Sequence, residues 1–141
     1  MATRSIIAKL DDKGVQAIYC HNDGYLSNNG KILDQHYADE DNVDELLAEG
    51  DISSLRDTIA DTTFYMRDRG EKYKQAEQLE DESALLKHAF EYYDANVVYM
   101  YAFGSWYVYD NSNAIGNTSH QFIELEEALY VPGYDYDCNI I

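Results

Sequence analysis

No lysine or arginine occurs between His88 and Ile141, a stretch in which Glu91, Asp94, Asp110, Glu124, Glu126, Glu127, Asp135 and Asp137 accumulate. Over all 141 residues, ten basic side chains face 27 carboxylates, for a net charge of -17. Binding of DNA or RNA through phosphates requires clustered Lys and Arg, so direct nucleic-acid binding is excluded as an expectation, and anionic membrane surfaces with it. Long apolar runs are missing too. None approaches the roughly 20 residues that span a bilayer, and the N-terminus has neither the charged nor the apolar region of a secretory signal, which predicts a soluble cytosolic protein with no membrane partner. Cysteine is scarce: Cys20 and Cys138 have no metal-type or CxxC spacing and are expected as free thiols. No zinc-binding HExxH or complete EF-hand loop is present, so no cofactor or metal is expected.

What remains is an ordinary globular composition. The apolar share is 45%, enough for one domain over 1–141 with a real core. The segment 131–141, with alternating Tyr134-Asp135-Tyr136-Asp137, is expected as a flexible acidic and aromatic tail.

Alternation from Ser5 to Asp11, a turn at Asp12-Lys13-Gly14 and a return from Val15 to His21 predict a hairpin. A second hairpin is predicted from Val97 to Phe103 and from Trp106 to Tyr109, turning at Gly104-Ser105. Between them, Asn29 is placed to cap a helix over 30–38, and the acidic run from Asp39 to Glu49 carries Val43, Leu46 and Leu47 as a narrow apolar stripe ending at Gly50. Asp51 to Leu55 suggests a further helical turn. The recurrence of Leu79, Leu86, Phe90 and Tyr93 predicts one long helix over 72–94, and His120 to Tyr130 a last one. The expected fold is therefore α+β: an antiparallel sheet of about four strands, built from two hairpins and covered on one side by a long helix and shorter helices.

Tyr19-Cys20-His21-Asn22-Asp23-Gly24-Tyr25 holds the densest set of reactive groups. With Gly30-Lys31-Ile32-Leu33, Gly50-Asp51-Ile52-Ser53-Ser54-Leu55 and Arg67-Asp68-Arg69-Gly70-Glu71, it resembles a family of small proteins encoded in tailed-phage genomes. Members of that family often carry an aromatic residue where Asn22 stands and a proline where Leu26 stands. The resemblance covers about the first half of the chain and implies a phage origin and a host-cytoplasmic location. It implies no mechanism.

Two chemistries compete for this chain. In the first, an acidic surface engages a basic host or defence protein that handles nucleic acid, imitating the phosphate pattern of DNA. A charge of -17 exceeds the magnitude of about 2 to 8 that keeps a small domain soluble. Asp39, Glu40, Asp41, Asp44 and Glu45, with Glu124, Glu126 and Glu127, would carry the charge, and Tyr107, Tyr109, Tyr134 and Tyr136 would be aromatic anchors. In the second, a ligand site for a nucleotide or small molecule, or a hydrolase, forms from Tyr19, His21, Asp23 and Tyr25 with Arg67 and Arg69. His21 would act as base, Asp23 would orient it, and Cys20 or water would attack. Each site has a plainer reading. Asp23-Gly24 and the neighbouring Asn residues can simply set a turn, and the arginines can pair internally with carboxylates. The leading expectation is a non-enzymatic binding or inhibitor protein.

Overall fold

The computed structural model describes residues 3–72, 75–111 and 121–130, with the side chain of Tyr130 left aside. Tyr134, Tyr136, Cys138 and the tail over 131–141 lie outside them.

Strands β1 (Ser5–Asp11) and β2 (Gly14–Cys20) form the expected antiparallel hairpin, in register from Ser5↔Cys20 to Asp11↔Gly14. The second hairpin is also present, but it turns at Phe103-Gly104 rather than Gly104-Ser105, because Ser105 already pairs with Ala102. The described residues hold six further strands, in chain order β3 (Ile52–Ser54), β4 (Thr63–Phe64), β5 (Glu77–Leu79), β6 (Val97–Ala102), β7 (Ser105–Asp110) and β8 (Ile123–Glu124). Their hydrogen-bonded order is β4-β3-β2-β1-β6-β7-β8, with β5 also on β2. This eight-stranded mixed sheet overturns the expected four-stranded antiparallel one. The hairpins join through their first strands, and β1 and β6 run parallel, from Ser5↔Val97 to Leu10↔Ala102. A parallel pair needs a long crossover, and the 85 intervening positions of the register supply it.

The long helix over 72–94 is overturned as well. Glu77–Leu79 pairs antiparallel with Val15–Ala17, supplying partners to an edge of β2 that β3 reaches only at Cys20. The helix proper is α3 (Glu82–Lys87), opened by Asp81, whose side chain accepts from the Ala84 amide. It runs into a π-helical turn over His88–Tyr92. Leu79 packs against the core cluster that contains Leu85 although it lies in a strand, so apolar spacing alone could not separate strand from helix.

The segment 51–55 forms β3 rather than a helical turn. The acidic helix is α2 (Glu40–Ala48), capped by Asp39 and followed by Gly50 at φ +86°. Lys31–His36 forms α1, and Leu125–Tyr130 forms α4. Asn29 is not the cap of α1. It is fully buried within a π-helical turn over Leu26–Gly30.

Both faces of the sheet are covered. On one face Ile7, Ile18, Tyr99, Tyr101, Trp106 and Val108 pack with α1, α2 and α4. On the other, Ile6, Ala8, Val15, Ala17, Val98 and Met100 receive Leu85 and Ala89. Burial on both sides explains why every residue of β6 is buried.

Candidate functional site

The His21 loop is a structural joint. Gly24 donates its amide to the Thr3 carbonyl (2.8 Å), and its own carbonyl accepts the Tyr99 hydroxyl (2.6 Å) across 75 positions. Asn29 Nδ2 reaches Ser5 Oγ, Cys20 Sγ and the Asn22 carbonyl, each at 3.4 Å. His21 turns its Nδ1 to the Tyr19 hydroxyl at 2.7 Å, while the Asp23 carboxylate meets the Tyr25 hydroxyl at 3.4 Å. The two members of the expected dyad thus have different partners. Cys20 is fully buried, and burial pushes its thiol up to about 11, against partial relief from the Asn29 hydrogen bond. A thiol held protonated and enclosed is a poor nucleophile.

Arg67 is similarly committed. Its guanidinium forks onto Asp68, with Nε and Nη2 both at 2.9 Å, and also donates to the carbonyls of Ile59, Ala60 and Thr62. It lies over the Phe64 ring, 4.7 Å from the centroid. The Asp68 hydrogen bond holds the guanidinium above its ordinary pKa and the carboxylate below its own. Arg69 stands over the Tyr65 ring and 4.0 Å from Glu71. The two arginines act as local staples.

The acidic residues divide by what they touch. Asp39 caps α2, and Glu40 and Asp44 grip Lys9 at 2.8 and 2.7 Å. Lys9 is nearly buried, which by itself would depress its pKa, yet hydrogen bonds and charge from Asp44 and Glu40 outweigh burial and raise it. Asp41 and Glu45 are exposed. Glu45 lines a shallow concavity with His36 and Asp57. Glu124, Glu126 and Glu127 are exposed at β8 and the first turn of α4.

Two of these acids meet a third that the sequence did not single out. Asp34 from α1 joins Glu124 and Glu126 around a cavity of about 290 Å³, whose other walls are Ala38, Tyr101, Gly104, Ser105 and Trp106. Its floor is rigid. Trp106 Nε1 donates to the Tyr37 carbonyl at 2.9 Å, the Tyr101 hydroxyl donates to the Ala38 carbonyl at 3.0 Å, and the two rings meet edge to face at 5.2 Å. Burial raises the Tyr101 phenol, and the charges of Glu40 and Asp39 raise it further. Ala38 of the cavity wall is followed directly by Asp39, the cap of α2.

No family model, curated protein or solved structure matches the chain. The site must be judged on its own geometry.

Tyr107 and Tyr109 point to the other side of the sheet. Tyr109 sits 5.5 Å from both Phe90 and Phe122, half-buried in the second core. The aromatic wall of the acidic cavity comes instead from Tyr101 and Trp106. Strand alternation across the Phe103-Gly104 turn could have separated Trp106 from Tyr107 and Tyr109, but only the fold brings Asp34 beside Glu124. Among the described residues, no group of three or more His, Cys, Asp or Glu is placed to hold a metal ion, and no helix is long and apolar enough to cross a membrane.

Proposed function

We propose that this protein is a phage-type, non-enzymatic inhibitor that binds a basic, nucleic-acid-handling host or defence protein in the host cytoplasm. The observation that carries the reading is the convergence of Asp34, Glu124 and Glu126, from segments some ninety positions apart, around Tyr101 and Trp106. Asp39 follows Ala38 of the cavity wall, and Glu40 and Asp44 retain one net negative charge after pairing with Lys9. Such a face draws cationic partners by long-range attraction and competes for surfaces that would otherwise hold nucleic-acid phosphates.

The test is a pull-down from host lysate at low salt, eluted by a salt gradient. A basic DNA- or RNA-handling protein released by salt supports the proposal. Affinity unchanged between about 50 and 500 mM salt would remove it, because screening must weaken a contact made by exposed carboxylates. No observation favours the alternative nucleotide or hydrolase site, since Arg67 is held by Asp68 and three carbonyls.

A further inference from the structure

The tip of the second hairpin is built against backbone preference. Phe103 and Gly104 have φ of +54° and +79° between the paired Ala102 and Ser105, the signature of a two-residue type I′ turn. Such turns favour Asn-Gly or Gly-Gly, because a bulky side chain at positive φ crowds its own backbone. The phenylalanine here is also 89% exposed. It is followed by Gly104 and Ser105, which line the acidic cavity. A large apolar ring in water thus stands one residue along the chain from the lining of a concave pocket that carries three carboxylates.

Resting on the reading above, we propose that this corner is a two-part recognition site for an arginine-bearing, apolar-flanked loop of the partner protein. The arginine enters the cavity and Phe103 seats on the apolar residues beside it. Charge complementarity selects a cation. The flat guanidinium is favoured over an ammonium because its planar fork reaches carboxylates on more than one side of the cavity, above a closed floor formed by Tyr101 and Trp106. Phe103 favours a macromolecule, since apolar side chains beside the arginine cover the exposed ring with an area that a small free cation lacks. An aromatic anchor beside a pocket, encircled by polar residues, is the arrangement in which a few side chains carry most of an interface's affinity.

Trp106 is the sole tryptophan of the chain and lines the cavity, so its fluorescence reports changes at this pocket. The full-length chain is titrated with synthetic peptides carrying two arginines flanked by leucines, the same arginines flanked by glycines, lysines in place of arginines, and with spermidine. Fluorescence and calorimetric heat are followed together. The leucine-flanked arginine peptide should bind tightest and change Trp106 emission, and Glu124→Gln with Glu126→Gln should weaken it about tenfold. Phe103→Asn should abolish the advantage of leucine over glycine flanks while raising the melting temperature, because asparagine suits the turn.

Heat without any change in Trp106 emission, undiminished in the double Gln variant, would place the cation elsewhere on the acidic surface; it would overturn this site and leave the general reading standing. Absence of heat with every cationic peptide would count against both. An equal response to lysine would overturn the arginine assignment. Spermidine matching the peptide, with no effect of Phe103→Asn, would make the cavity a polyamine site and overturn the docking surface.

Discussion

Lys9 Nζ lies 2.7 Å from Asp44 Oδ1, joining the centre of the sheet to the helix above it across 35 positions. Glu40 completes the clamp at 2.8 Å. The lysine side chain is only 9% exposed, whereas the two carboxylates remain more than half in water. Lys9→Met fills the same space without the charge and leaves Glu40 and Asp44 to repel each other in the solvent. The expected loss is about 1–2 kcal/mol, below that for breaking a fully enclosed pair, and it is read from the urea midpoint at constant m. Because the folded pKa of Lys9 is raised, its contribution is complete below the unfolded value near 10.5 and falls only as pH rises beyond it. The difference between wild type and Lys9→Met should therefore be flat from about pH 6 to 9.

Cys20 predicts an alkaline limit. Its thiol is raised from 9.0 to about 11 by burial, so the unfolded chain loses this proton before the folded one does. Stability is fully present below pH 9 and declines as pH climbs toward 11, by about 2–3 kcal/mol from this group. Tyr99, also buried and raised, adds to the decline above pH 10. Cys20→Ser should shallow the slope between pH 9 and 11 without removing it. In a Cys138→Ser background, a thiol reagent at neutral pH should react with Cys20 only as fast as the protein opens.

Gly24 has no room for a side chain. A Cβ there would stand 2.8 Å from both Ser5 Cβ and the Thr3 carbonyl oxygen. Gly24→Ala should cost about 1–3 kcal/mol, since one of the obstacles is backbone that carries the adjoining hydrogen bond. If the loss is under about 0.5 kcal/mol, the loop yields and is not the joint described.

Arg67→Lys retains the charge but loses the fork to Asp68 and the spread of donors to three carbonyls. The turn over 59–62 should then exchange its amide hydrogens faster, with lower melting temperature, while the response of Trp106 to cationic peptides stays unchanged. A lost Trp106 response would mean that the arginine acts on the cavity.

How much of this was legible before the fold depends on distance along the chain. Ser5–Asp11 with Gly14–Cys20, and Val97–Ala102 with Ser105–Asp110, are local pairings whose alternation and turn residues lie within a few positions of each other. The capped helix over Glu40–Ala48 was readable for the same reason. Leu79 was misassigned because its apolar side chain suits a helix face and an edge strand equally. What decided it was the unpaired side of Val15–Ala17, which the local sequence does not display. Asn29 has the chemistry of a cap, but its amide is drawn inward by Ser5, Cys20 and Asn22.

By itself, the sequence determined the charge imbalance, the two hairpins and the acidic helix, because composition is additive and near-neighbour backbone preferences act within a turn or two. Only the tertiary structure decided that the hairpins meet in parallel through β1 and β6, that Lys9 withdraws Glu40 and Asp44 into a clamp, and that Asp34 lines one cavity with Glu124, Glu126 and Trp106. Those outcomes rest on burying both faces of one sheet and satisfying its edges. That is a collective condition on residues ninety positions apart, and no single stretch of chain carries it.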